Sequence, residues 1–353
     1  MKKLLCVVFA LLFVCLPLCS CSVGQITYTD EMFALDTIIR FTLYDEDESL
    51  CKDTVDKCKD EITRLEKLLS ATKKDSDIGK INNRESDTVA VTRETAELIK
   101  KANELSLSCS GAFDITVKPL VTLWGFDSKN YTVPTDQEIK ETLLNVGYEK
   151  LRANDEKITL DENVALDLGG IAKGYICDRV KAIIEKTEVN SAIINLGGMI
   201  ATIGQSSSKD KEHWRIGVEH PSDNESYFFT FDVIHPFVST TGAYQRYFEK
   251  DSEIYHHILD TKTGYPAKSD ISSVSVISDS GVECDALSTA FYVMGVEKTT
   301  DYINKNLTQN GERYQVVILS SDMKTLYLSE EFEKDSIAHS IEKTFDDIEI
   351  VYI

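Results

Sequence analysis

Proline is scarce in this chain, with 6 in 353 residues, and none of the six are neighbours. Polyproline and collagen-like structure are thereby excluded, and no repeated or low-complexity stretch suggests a linker. Basic charge is also short: Lys and Arg total 38 against 59 Asp and Glu, a formal net charge of −21. A surface that acidic repels nucleic acid and anionic lipid, so no nucleic-acid partner is expected. Cysteine never occurs as C-x-x-C. Beyond the first residues the thiols are Cys51, Cys58, Cys109, Cys177 and Cys284, an odd set that argues against a disulfide framework or a zinc site. Cys51 and Cys58 lie seven apart, on one face of a helix, which points to buried thiols. Neither the dinucleotide fingerprint G-x-G-x-x-G nor the Walker pattern G-x-x-x-x-G-K-[ST] occurs.

One apolar run is present, and it is at the start. Lys2 and Lys3 precede Leu4–Leu18, and the next charge is Asp30. A basic start followed by an apolar core of this length reads as a secretory signal over residues 1–20. Leu18-Cys19-Ser20-Cys21 has the form of a lipobox, in which Cys21 becomes the first mature residue and carries lipid. An uncleaved anchor is the alternative, although the run is short for a stable span. The expected organisation is a signal peptide (1–20), a tether (21–30) and one extracytoplasmic, lipid-anchored domain over 31–353.

The body mixes helix and strand signals without a βαβ rhythm, so an α+β fold with largely antiparallel sheets is expected. "FALDTIIRFTLYDED" (33–47) alternates as a strand does. Residues 48–69 repeat apolar positions every three or four, which predicts an amphipathic helix. Further helices are predicted over 93–107, opened by Thr92 as a cap, and over 135–146, 171–186 and 283–294. Residues 157–170 read as a β-hairpin, and 191–198, 214–250, 271–278 and the 314–332 region as strands.

Four stretches could carry chemistry. In "VALDLGGIAKGYICD" (164–178), Gly169 and Gly170 permit close approach of a ligand. Lys173 stands in the first turn of a helix, at the positive end of its dipole, and Asp167 sits just before the glycines. A tight turn with a solvated lysine would look the same. In "ECDALSTAFYVMG" (283–295), Asp285 and Thr289 are four apart on an exposed helical stripe, so that both oxygens could reach one hard cation; a simple helix cap is the alternative. In "EIYHHILDTKTGYP" (253–266), His257 follows a strand end and offers a base suited to neutral pH, or a structural imidazole. In "GAFDITVKPLVTLWGF" (111–126), an aromatic and an acid read as lying on a strand, equally consistent with core.

Taken together and in order, "LDT" (35–37), "EKLLSATKKDSDIGKIN" (66–82), "GAFDITVKPLVTLWGF", "LDLGGIAKGY" (166–175), "INLGG" (194–198), "STTGAYQRYF" (239–248), "HILDTKTGYP" (257–266) and "DALST" (285–289) closely resemble the ApbE family of FAD:protein FMN transferases. The resemblance spans roughly residues 33–330. It implies that FAD lies in a cleft beside a Mg²⁺ held by Asp285, Thr289 and the backbone carbonyl of Gly170. It further implies FAD contacts at Leu35, Thr72, Ala112, Phe113, Asp114, Asp167, Lys173 and Leu259, with His257 as base and Asp285 as the second catalytic residue. The implied reaction moves the FMN phosphoryl of FAD to a threonine hydroxyl of an acceptor protein, such as a membrane electron-transport subunit, and releases AMP. Three positions depart from the pattern. Thr72 stands where many members have a flavin-stacking tyrosine, which favours hydrolysis of FAD to FMN and AMP. Thr261 replaces a proline and should loosen its turn, and Ala243 replaces a frequent acid. The competing readings are therefore a Mg²⁺-dependent FAD pyrophosphatase and a non-catalytic FAD-binding lipoprotein.

Overall fold

The computed structural model describes residues 25–206, 213–308, 311–334, 337, 339–342 and 347–353. The signal peptide expected over 1–20 and the lipidation residue Cys21 lie outside the described residues. Among those residues no helix is long and apolar enough to cross a membrane.

The chain opens with a hairpin, β1 (Ile26–Ala34) and β2 (Thr37–Asp45), followed by α1 (Glu48–Leu69), α2 (Asp77–Asn82), β3 (Thr88–Ala90) and α3 (Arg93–Ser108). Next come α4 (Lys118–Trp124), α5 (Asp136–Leu143), β4 (Leu151–Asn154), β5 (Lys157–Leu160), α6 (Ala172–Ile184), β6 (Ser191–Leu196) and β7 (Met199–Ile203). The second half runs through β8 (Trp214–His220), β9 (Asp223–Val233), β10 (Phe237–Gly242), β11 (Tyr247–Lys250), β12 (Glu253–His256) and β13 (Ile271–Ser278). The long helix α7 (Gly281–Lys305) is followed by β14 (Gln315–Ser320), β15 (Thr325–Leu328), β16 (His339–Ile341) and β17 (Glu349–Tyr352).

A nine-stranded sheet, in the order β1-β2-β6-β7-β10-β13-β14-β15-β17, is the frame. Its pairings are antiparallel except for β15 with β17, in agreement with the α+β, largely antiparallel expectation. One face carries Ile39, Phe41, Ile194, Val274 and Val316, all fully buried, and packs on the inner faces of α1, α6 and α7. The other face, with Val238, Ile277 and Val317, packs on Phe229 and Phe231 of the small sheet β16-β9-β8. Buried side chains of this kind contribute about 1.5–3 kcal/mol each, which makes this second layer a firm support for the frame. A third apolar cluster, built on Leu120, Trp124 and Phe126, lies beneath the loop that carries Leu259.

Local chemistry explains the elements. In β2 the alternation buries Ile39, Phe41 and Leu43 and turns Ile38 and Arg40 outward. In α1 the predicted stripe of Leu50, Val55, Cys58, Ile62, Leu65 and Leu69 is buried except for Leu50, which is half-buried, and Asp47 caps the helix by accepting from the amides of Ser49 and Leu50. Thr92 caps α3 through the amide of Thr95. All five described cysteines are free and buried.

Four expectations are corrected. Strand β1 begins at Ile26, so the second half of the segment read as tether is paired with β2. The hairpin expected over 157–170 is formed instead by β4 and β5, and residues 161–168 are irregular. The segment after Gly111 is not a strand: Asp114 accepts from the amide and hydroxyl of Thr116, closing a single turn that leads into α4. The helix predicted over 283–294 extends to Lys305, with a break at Gly295, where φ is +77°.

Candidate active site

The site forms where the starts of α6 and α7 meet. The approach to α6 is held by the amide of Asp167, which donates to the carbonyl of Ile115, while Asp167 Oδ1 accepts from the amide of Gly169. Asp167 thus lies in an irregular segment rather than at the expected strand end. Gly170 faces the Phe113 ring and Thr289 Oγ1, and a Cβ placed there would stand 3.2 Å and 3.5 Å from them. A side chain at 170 would be tight against the Phe113 ring, which would have to give by a few tenths of an ångström.

Asp285 is buried, not on the exposed stripe expected from its spacing. Its Oδ1 lies 3.2 Å from Lys173 Nζ, and its Oδ2 accepts from the amide of Gly174 at 2.9 Å. A buried carboxylate is tolerated only when paired, and here an ammonium and a helix N-terminus do the pairing. Asp285, Thr289, Lys173 and Gly170, from two separate stretches, are therefore brought together. The oxygen donors available (carboxylate, hydroxyl and carbonyl) suit a hard divalent cation of the Mg²⁺ type.

His257 follows β12 directly. Its backbone amide and its Nδ1 both lie against the carbonyl of Arg246, at 3.1 and 3.0 Å. A carbonyl oxygen only accepts, so Nδ1 carries the proton and Nε2 is left with its lone pair. Burial pushes the His257 pKa down to about 4, with positive potential from Arg246, His256 and Lys173 acting in the same direction. The imidazole is consequently neutral at pH 7. His257 makes no hydrogen bond to Asp260, which instead accepts from Lys262 and Thr263 within its own turn.

The remaining predicted positions divide into those near this centre and those apart from it. Ala112 and Phe113 are buried, and the Phe113 ring lies against Gly170. Asp114 is buried, its carboxyl shifted upward by desolvation and occupied by Thr116. Leu35 sits in the two-residue β1–β2 turn with φ +55°, an uncommon conformation for leucine, and its amide donates to Glu66. Thr72 is exposed on the loop after α1, its hydroxyl paired with Ser70. Leu259 is buried in the satellite core with Trp124 and Phe126. The Thr261 hydroxyl donates to the carbonyl of Gly111 at 2.7 Å and ties the histidine loop to the 111–114 segment.

Three residues escaped the sequence reading. Lys118 is buried with its ammonium 2.8 Å from Asp127 and 3.8 Å from Asp167, which orients Asp167. Arg246 supplies the carbonyl that fixes the His257 tautomer. Asp178 accepts from the first amides of α7. Only Lys118 carried a signal, as a lone cation inside an apolar, proline-containing run.

Comparison with known proteins places the chain in a family. A family model described as the ApbE family matches residues 35–312. An FAD:protein FMN transferase of Klebsiella pneumoniae is 32% identical over 283 residues, covering 77% of this chain and 84% of that protein. Another, from Vibrio cholerae, is 34% identical over 238 residues, covering 65% of this chain and 70% of its own length. The crystal structure of an ApbE protein from Thermotoga maritima matches with a TM-score of 0.76 at 30% identity, over 91% of this chain and 98% of that one.

Proposed function

Because the chain belongs to the ApbE family, we propose that it is an FAD:protein FMN transferase, moving the FMN moiety of FAD onto a threonine hydroxyl of an acceptor protein and releasing AMP. The observation that carries the proposal is the meeting of Asp285, Lys173, Gly170 and Thr289 at the junction of two helix starts, with a neutral histidine nearby. Helix N-termini and a lysine are what a diphosphate requires, and FAD has one at its centre.

In the proposed reaction the hydroxyl oxygen of the acceptor forms a bond to the FMN phosphorus. The bond from that phosphorus to the bridging oxygen breaks, and the bridging oxygen leaves with AMP. His257 takes the hydroxyl proton at Nε2, the one ring nitrogen with a free lone pair. Lys173 offsets charge on the phosphate oxygens. Asp285, Thr289 and the Gly170 carbonyl would hold Mg²⁺, which when bound neutralises phosphate oxygens. Phe113 walls the site beside Gly170, and Lys118 steadies Asp167 toward the nucleotide.

A second reading, hydrolysis of FAD to FMN and AMP with water in place of the hydroxyl, is favoured by Thr72. That position is exposed and offers no ring to hold the flavin or adenine. One assay separates the readings: incubate the protein with FAD, Mg²⁺ and a threonine-bearing acceptor. Fluorescent acceptor that survives denaturation supports transfer. Free FMN and AMP without labelled acceptor supports hydrolysis, and unchanged FAD would leave only a binding protein.

The proposal extends to location and partner. Lipid on Cys21 would hold the domain on the outer face of a membrane, beside an acceptor in a membrane electron-transport complex. Replacement of Cys21 by Ser is expected to release the protein from the membrane fraction; a variant that remains bound would show that something else anchors it.

A further inference from the structure

The two helices that meet at the site cap one another. Helix α6 starts without a local side-chain cap, Ile171 occupying that position, and the amide of Gly174 is taken by Asp285 of α7. In return, the amides of Gly281 and Val282 at the start of α7 donate to Asp178 of α6, at 2.8 and 3.0 Å. Two glycines make this possible. A Cβ on Gly174 would stand 2.1 Å from the carbonyl oxygen of Gly281, and one on Gly281 would stand 2.6 Å from that of Gly174. The helices therefore touch backbone to backbone, locked by a carboxylate crossing in each direction.

We propose that Asp178 is a positioning residue for the cation site, clamping the first turn of α7 onto α6 so that Asp285 and Thr289 stay aimed at Gly170. This rests on the cation reading given above. The two oxygens of Asp285 have separate duties. Oδ2 is spent on the Gly174 amide, which sets the carboxylate plane, and Oδ1 is left facing Lys173, where a divalent cation can replace or join the ammonium. The plane holds only while α7 keeps its register against α6. Asp178 sets that register through the Gly281 and Val282 amides and supplies no ligand to the cation itself. A carboxylate suits this role because it accepts two amides at once and carries the negative charge that a helix start favours.

The test uses Mn²⁺ as the probe, followed by electron paramagnetic resonance on the protein without FAD, together with amide hydrogen exchange. Asp178→Asn replaces one acceptor with a donor facing an amide. Its Mn²⁺ dissociation constant is expected to rise about tenfold or more, as for other residues that orient metal ligands. Exchange at the Gly174 amide should quicken as well, although residue 178 does not touch it. Val180→Ala, on the buried face of the same helix, serves as the control: it lowers stability but should leave Mn²⁺ affinity unchanged. Faster exchange at Gly281 and Val282 alone, with Mn²⁺ affinity and Gly174 intact, would overturn the proposal. Should Asp178→Asn not fold, the unmutated protein still decides. Saturating Mn²⁺ should slow exchange at Gly174, Gly281 and Val282 together, and slowing at Gly174 alone would refute the clamp. Unmutated protein that binds no Mn²⁺ and turns over FAD in EDTA would remove the cation reading itself, while the exchange coupling of Gly174 to Asp178 is read separately.

Discussion

At the scale of single residues, His257 carries the clearest consequence. Its pKa is lowered to about 4 from an ordinary 6.5, so the neutral form is favoured by folding. The stability this contributes is therefore present above pH 6.5 and is lost as pH falls from 6.5 through about 4. A His257→Gln variant is expected to show a shallower fall in melting temperature across that window than the parent. The same titration should govern rate: if Nε2 is the base, kcat/KM for labelling falls on the acid side near pH 4. Loss of the imidazole should lower the rate by about 10²–10⁴-fold and abolish that limb. A variant that keeps the limb would assign the base elsewhere. The sequence offered this histidine as a candidate base because it follows a strand and precedes a turn rich in Asp, Thr and Gly. Its protonation state was not, since that depends on the Arg246 carbonyl, which reaches it only through the pairing of β11 with β12. The burial of Asp285 was hidden for a related reason: spacing shows which side chains share a stripe, but not what covers it.

At the scale of elements, helices with strong periodicity and local caps could be read to within a residue or two. The 48–69 stretch and the one opened by Thr92 are examples, because everything that defines them lies within the segment. A short side-chain turn that mimics strand alternation was misread, whereas α6 was placed to within two residues and only the partner of its first turn stayed hidden. The turn at Asp114 depends on a two-residue carboxylate loop that looks like a strand in a pattern of alternating apolar residues, and α6 has its N-terminal partner 111 residues away on α7. That contact makes Gly174 critical. Gly174→Ala would set a methyl 2.1 Å from a backbone oxygen that cannot swing aside, so the helices must separate. Such overpacking costs about 1–3 kcal/mol. Chemical denaturation should show a loss of that size, together with weaker FAD turnover. Unchanged stability would mean that the junction is looser than its geometry indicates.

At the scale of the whole molecule, fold class was accessible because mixed elements without a βαβ rhythm leave few architectures. The order of the nine strands was not accessible, since β6 pairs with β2 across more than a hundred residues and no local signal records that choice. Nor did the sequence foretell that the frame would be covered on its second face by a phenylalanine-rich small sheet. The thiols, by contrast, followed from spacing and number. All five in the described residues are free and shielded, and burial raises the pKa of Cys58 to about 12. A thiol-specific dye should accordingly react with none of them in a chain beginning at Gln25 until the packed layers part. The molecule thus carries its own stopwatch: the speed of dye uptake reports how often the interior breathes, and FAD, if it braces the helix junction, should slow the hand nearest to it at Cys177.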